Sequence, residues 1–145
     1  IMQKSFWGIA AATLVALAVP LPVLANPVAE MNNTLDTLFG DHTRYHTFFD
    51  NLKKAVAAGD KAAVAAMIEY PFQVRIGGKS LKIRDAAHFI ADYDQVITAK
   101  VKHALQVQTY ETLFANWQGV MVGQGEIWFS GVGDTDVIKV TAIND

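Results

Sequence analysis

The chain has 145 residues, no cysteine and a formal net charge of −2. A length near 150 residues predicts one domain, and the lack of cysteine excludes a scaffold held together by disulfides. A nearly neutral chain without a basic tract is not typical of a nucleic-acid-binding protein, so we expect no nucleic acid as a partner. The composition therefore predicts a single domain that is stabilised by its own hydrophobic core.

The first 25 residues have the features of a bacterial secretory signal peptide. Lys4 supplies a positive charge, an apolar run follows over residues 6–24, and small residues lead up to a predicted cleavage site after Ala25. Pro20 and Pro22 interrupt the run, which is only about as long as the ~20 residues of a membrane-spanning helix. We therefore predict a periplasmic or secreted protein with no membrane span in the mature chain.

Residues 26–40 are predicted to form a flexible lead-in with a short helical turn at residues 34–39, and residues 41–145 a single α+β domain. Asp41 is a suitable N-cap for an amphipathic helix, whose apolar residues recur three, four and seven positions apart. Asp60 is the predicted cap of a second, Ala-rich helix. This helix is expected to end before Pro71, because the residue that precedes a proline is disfavoured in a helix.

The apolar period then changes from helical to alternating. A strand over residues 72–76 and its return strand are joined by the two glycines at 77–78, which suit a turn that needs positive φ at both positions. Asp85 is the predicted cap of a third helix, which is expected to run on past a kink near Thr98. The rest of the chain, to residue 143, is predicted to form three or four further strands.

This order of helices, hairpin, helix and late strands resembles the nuclear transport factor 2-like superfamily, which includes ketosteroid isomerase and the SnoaL-like cyclases. The resemblance covers residues 41–143, and its local carriers are AVAAGD at residues 55–60 and GVMVGQGEIWF at residues 119–129. It implies a curved antiparallel sheet wrapped around N-terminal and central helices, which is the cystatin-like cone. It also implies a pocket at the open end of the cone.

If the chain forms such a cone, the first and third helices and the concave sheet face line the pocket. The expected lining residues are Tyr45, Phe49, Tyr70, Phe72, Phe89, Tyr93, Trp117, Met121 and Trp128. The alternative is that these residues fill the core, because aromatic side chains bury a large area by default. Arg75 alternates with Val74 and Ile76, so it is a candidate for binding an anion if its face is the concave one. Glu126 is a candidate pocket carboxylate beside Ile127.

Two further sets of residues are candidates for a metal site and for general acid–base catalysis. His42 and His46 are four positions apart on a helix, as in a metal-binding pair. Asp41 or Asp50 could complete such a site, but nothing in the sequence requires either as a third ligand. We therefore predict no metal and no cofactor. Asp92 and Asp94 are, with Glu126, the candidate general bases of an isomerase, lyase or hydrolase. The carboxylate, tyrosine and protonated aspartic acid of a ketosteroid isomerase site do not map onto this chain residue by residue.

The sequence favours an exported bacterial envelope protein whose pocket binds a small apolar or amphipathic molecule without catalysis. Two alternatives remain open. One is a protein-interaction module that acts through the open sheet face, including a homodimer, with an apolar patch on the strand of Trp128 and Phe129. The other is a small enzyme that uses a pocket carboxylate. A filled interior together with an exposed apolar sheet face would favour the interaction module.

Overall fold

The computed structural model describes residues 2–5, 8–21 and 26–145. The predicted cleavage site after Ala25 and part of the apolar run lie outside the described residues. Residues 2–5 and 8–21 are exposed and contain neither helix nor strand. Among the described helices, none combines the length and the apolar character that crossing a bilayer requires.

The first helix lies where the sequence predicts a flexible lead-in. Helix α1 spans Pro27–Phe39, and the side chain of Asn26 caps it by accepting a hydrogen bond from the Ala29 amide. Met31 and Leu35 are buried, one turn apart on the same side of the helix. The helical turn predicted at residues 34–39 thus lies within α1, whereas residues 27–33 are helical in place of the flexible lead-in, because these two apolar side chains anchor the helix on the core.

The next two helices match the sequence prediction. Helix α2 spans His42–Ala57 and helix α3 spans Lys61–Ala66. The carboxylates of Asp41 and Asp60 accept backbone amide hydrogen bonds at their first turns, so both predicted caps are confirmed. The buried face of α2 carries the apolar residues whose spacing predicts the helix.

The predicted third helix is divided into three. Helices α4, α5 and α6 span Ala86–Ala91, Tyr93–Val96 and Ala99–Val107. Asp85 caps α4 as expected, and Thr98 caps α6 by accepting from the Val101 amide. The interruption near Thr98 is thus confirmed, whereas the break between α4 and α5 is not visible in the sequence pattern. A short 3₁₀ turn at Tyr110–Thr112 leads to the late strands.

Six strands form one curved, unclosed sheet in the order β2-β1-β6-β5-β4-β3. All neighbouring strands are antiparallel except β1 and β6, which run parallel. The mixed α+β class is therefore confirmed. The strands are β1 (Phe72–Ile76), β2 (Lys79–Ile83), β3 (Phe114–Asn116), β4 (Gly119–Val122), β5 (Ile127–Gly131) and β6 (Ile138–Asn144).

The sheet has two different faces. Its inner face packs against the helices and carries buried apolar residues on every strand except β3, among them Val74, Ile83, Val120, Phe129 and Val140. The residues between them point to the outer face, where side chains are half-buried or exposed. The alternation of the strands therefore places each outer-face residue on the side away from the core.

Candidate binding surface

Five predicted pocket residues belong to the hydrophobic core. The ring centroid of Phe129 lies 6.4 Å from that of Tyr45 and 6.5 Å from that of Phe49, and the rings of Phe89 and Tyr93 pack edge to face at 5.7 Å. All five are at most 4% exposed, so the structure brings them together as packing residues, and their role in binding a ligand stays a prediction. The five residues are Tyr45, Phe49, Phe72, Phe89 and Tyr93.

Three other predicted residues are separated from one another. Tyr70 is half-buried and donates a hydrogen bond to the Ala65 carbonyl oxygen at 2.8 Å. Trp117 lies in the turn between β3 and β4 and is 80% exposed. Arg75 is exposed on the outer face of β1. The structure gives these residues no common site.

The last three predicted residues meet on the outer face of the sheet. Met121, Glu126 and Trp128 line one open depression with a volume of about 340 Å³. Gly125 closes one side of it at φ +110°, and a Cβ added there would lie 3.6 Å from the indole nitrogen of Trp128. A residue with a side chain is disfavoured at that φ. The other lining residues are Lys100, Gln124, Asn144 and Asp145.

Glu126 closes the turn between β4 and β5. Its carboxylate accepts a hydrogen bond from the Gln124 amide at 2.5 Å and lies over Gly123, where a Cβ would collide with it. Side chains that bond to a nearby backbone amide in this way stabilise turns. The carboxylate is therefore held in place on the rim of the depression.

An apolar row crosses four strands of the outer face. Phe114 lies opposite Met121, Met121 opposite Trp128, and Trp128 opposite Ala142. Directly opposed side chains of antiparallel strands are close enough to touch, so these four residues form a continuous stripe, which we call the apolar row. Phe114 is 51% exposed, and the other three are half-buried. At a strand spacing of about 4.8 Å the row is roughly 14 Å long.

The two edges of the sheet differ in charge. Residues 72–84, which form β1 and β2, contain four basic and no acidic residues; residues 108–131, which include β3, β4 and β5, contain two acidic and no basic residues. Arg75 and Lys82 project from the outer face, because they alternate with buried neighbours. Within the described chain neither forms an ion pair. The two acidic residues lie outside these strands, Glu111 in the 3₁₀ turn and Glu126 in the turn between β4 and β5. The apolar row thus lies beside the basic strands β1 and β2 and beside the Glu126 carboxylate.

The predicted histidine pair does not form a common site. The Nδ1 atom of His42 lies 2.8 Å from the Oδ1 atom of Asp36, whereas the His46 ring stacks on Tyr110 with centroids 3.6 Å apart. Hydrogen bonds from the His42 side chain and amide hold the pKa of Asp36 below its ordinary value. Asp41 joins this cluster, but it also caps α2. Asp36 and His42 thus bond to each other, whereas Asp41 accepts from the Thr43 amide at the start of α2.

The three candidate bases also have separate partners. Asp92 lies 3.0 Å from the Nε2 atom of His88, and Asp94 lies 3.8 Å from the ammonium of Lys61. Glu126 is bonded to the turn between β4 and β5. The structure therefore does not bring the candidate carboxylates together on one substrate position.

Comparison with protein-family models, curated proteins and solved structures finds no match for this chain. The resemblance to the nuclear transport factor 2-like superfamily therefore stays a prediction from the sequence pattern.

Proposed function

We propose that this chain is an exported, noncatalytic interaction module whose outer sheet face binds a second copy of the same chain. The observation that carries the proposal is the apolar row, which lies beside the basic strands β1 and β2 and beside the Glu126 carboxylate of one sheet. Apolar surface that is rimmed by polar groups is typical of protein–protein interfaces. Small-molecule sites instead enclose most of their ligand, and the row is open along its whole length.

Charge complementarity selects a second copy as the occupant and also selects its orientation. A twofold axis that runs parallel to the strands, between β5 and β6, places β2 of one copy over β3 of the other. The basic strands β1 and β2 of each copy then face β3, β4 and the Glu126 turn of the partner subunit, a region without basic residues. A twofold axis along the apolar row, across the strands, would instead place the basic strands of one copy over the basic strands of the other. Juxtaposed like charges of this kind disfavour association.

The same orientation brings Arg75 over the turn that carries Glu126. Arg75 is in register with Asn144, whose amide bonds to the Glu126 carbonyl oxygen, so all three lie in one row across the sheet. With the axis between β5 and β6, β1 of one copy lies over β4 of the other. Arg75 of each copy is then placed beside the Glu126 carboxylate over Gly123 of the partner subunit. A charge pair of this kind contributes orientation more than affinity.

The proposal includes export of the chain. It also includes the wrapping of the curved sheet around the helices as in a cone. Helix α1 begins at Pro27 with Asn26 as its cap, directly after the predicted cleavage site. Removal of residues 1–25 would therefore leave every described helix and strand intact. This arrangement supports a processed envelope protein, in which the folded domain starts with the first residue of the mature chain.

The oligomeric state of the chain tests the proposal. Sedimentation equilibrium over a range of concentrations should show a monomer–dimer equilibrium for the native chain. Met121→Lys places a charge in the apolar row and should weaken the dimer at least tenfold. Val107→Lys is the matched control, since Val107 is an exposed apolar residue on α6. A monomer at every concentration, or equal dimerisation of both variants and the native chain, would contradict the proposal.

A further inference from the structure

A second surface feature lies away from the apolar row, between the C-terminal halves of α2 and α6. It is a groove with a volume of about 510 Å³. Its floor is apolar, because Val56 and Leu105 are buried beneath it and Ala57 lines it with a methyl group. Grooves of this size with an apolar floor and a few polar groups are typical of small-molecule sites.

Lys53 supplies a fixed positive charge to the groove. Its ammonium donates hydrogen bonds to the carbonyl oxygens of Gln108 at 2.6 Å and Gln106 at 3.4 Å, and it lies 5.6 Å from the centre of the Phe49 ring. An ammonium has three donors, so one remains after these two bonds. The carbonyls at the end of α6 therefore hold the ammonium in position and leave one N–H for a ligand.

Lys102 supplies the second positive charge. It is exposed on α6 and lines the same groove, and within the described chain it forms no ion pair. The residues that line the groove include two lysines and no acidic side chain. The groove thus combines an apolar floor with a positive rim, which is complementary to an amphiphile with a negative head group.

We infer that this groove binds a free fatty acid of medium chain length. The hydrocarbon chain lies on Val56, Ala57 and Leu105, where burial of its methylenes supplies the driving force. The carboxylate accepts hydrogen bonds from Lys53 and Lys102, because charge-assisted bonds to ammonium groups are the strong ones. This inference is independent of the proposed interface, since it uses no residue of the apolar row.

Calorimetric titration of the full chain with decanoate, below its micelle concentration, tests the inference. We expect saturable binding of decanoate and at least tenfold weaker binding of decanol, which has the same chain without the charge. Lys102→Gln should weaken decanoate binding about tenfold. Lys100→Gln is the matched control, because Lys100 lies on the same helix but lines the depression on the outer sheet face; it should change binding less than twofold.

Ala57→Phe gives a second, independent variant. Ala57 is exposed at the end of α2, so a larger side chain should fill the groove without disturbing the core, and circular dichroism would verify that the fold is kept. Decanoate binding should then be lost. The inference is overturned if decanoate does not bind saturably, if decanol binds equally well, or if folded Lys102→Gln and Ala57→Phe bind decanoate like the native chain.

Discussion

Trp128 on β5 lies directly opposite Ala142 on β6, although the next pair along the two strands joins Phe129 to Val140. Thr141 is therefore an extra residue in β6, which makes a β-bulge. Because of the bulge, Phe129 and Val140 both face the core. The small Ala142 lies beside the indole of Trp128 on the outer face of the sheet. This local irregularity completes the apolar row on which the proposed interface depends.

The orientation of the proposed dimer predicts the effect of charge reversal at Arg75. Arg75→Glu should weaken dimerisation about tenfold at low salt, because it would place two carboxylates together across the interface, and added salt should reduce the effect. Lys79→Glu is the control, since Lys79 alternates with Ser80 and Lys82 and so points away from the outer face. Sedimentation equilibrium at low and high ionic strength measures both.

A second variant checks which acidic residue Arg75 meets. If Arg75 pairs with Glu126 of the partner subunit, the double variant Arg75→Glu, Glu126→Arg should recover most of the lost affinity. Glu126 also closes a turn, so the unfolding temperature of each variant has to be recorded beside its association constant. A double variant that is folded and still as weak as Arg75→Glu would place the axis elsewhere.

The buried hydroxyl of Tyr93 predicts a gain in stability on its removal. Tyr93 is 2% exposed, and its hydroxyl has no hydrogen-bond partner within the described chain. An unsatisfied buried polar group costs about 1–3 kcal/mol. Tyr93→Phe should therefore raise the free energy of unfolding in urea, by about 1 kcal/mol.

Tyr110→Phe is the contrasting variant for that measurement. The Tyr110 hydroxyl donates to the Oδ1 atom of Asn32 at 2.6 Å, so its loss should lower the free energy of unfolding by about 1 kcal/mol. If Tyr93→Phe destabilised the chain as much as Tyr110→Phe, the Tyr93 hydroxyl would have a partner in solution, and the prediction would be wrong.

The contact between Asp36 and His42 predicts a dependence of stability on pH. The hydrogen bonds from His42 lower the pKa of Asp36 below its ordinary value of 3.8. A carboxyl with a lowered folded-state pKa stabilises the fold above its unfolded pKa, and this contribution is lost as the pH falls through the folded-state pKa. Asp36→Asn, which keeps an acceptor oxygen, should therefore destabilise the chain at pH 6.

Urea unfolding of the native chain and of Asp36→Asn between pH 6 and pH 3 measures this contribution. The difference between their free energies of unfolding should be constant near pH 6 and shrink as the pH falls below about 4. Asp134→Asn serves as a control on an exposed aspartate in a loop. A difference that stayed the same down to pH 3 would show that the charge of Asp36 does not contribute.

Processing of the N-terminus is the prediction for the proposed export. Expression of the full chain in a bacterial host should yield a periplasmic protein whose intact mass corresponds to a start at Asn26. Replacement of Ala25 by a bulky residue, as in Ala25→Phe, should block cleavage because the signal peptidase reads small residues there. Recovery of the unprocessed chain in the cytoplasm would contradict the proposed location.

The sequence predicts those parts of the fold that depend on neighbouring residues. Asp41, Asp60 and Asp85 are recognisable as caps because each bonds to amides within its own first turn. The turn at Gly77 and Gly78 is recognisable for the same reason, and both glycines have positive φ. These features are local, so the order of residues is sufficient to reveal them.

Other features depend on contacts between distant segments. Only residues 34–39 of helix α1 are recognisable as helical from the sequence, because Met31 and Leu35 stabilise the full helix only when the core is in place. The apolar row is hidden for a related reason. Phe114 and Ala142 become its members through strand register and through the bulge at Thr141, and neither is apparent from the alternation of a single strand.

One measurement tests the central claim most directly. The chain lacks cysteine, so Ser130→Cys gives a single site for a nitroxide label on the outer face of β5, beside the apolar row. Two sheets that pack face to face lie about 10 Å apart, so a dimer formed about an axis between β5 and β6 predicts labels roughly 10–20 Å apart in pulsed electron paramagnetic resonance. A dimer whose labels lie beyond about 30 Å, a separation several times the spacing of packed sheets, would contradict an interface on the outer sheet face.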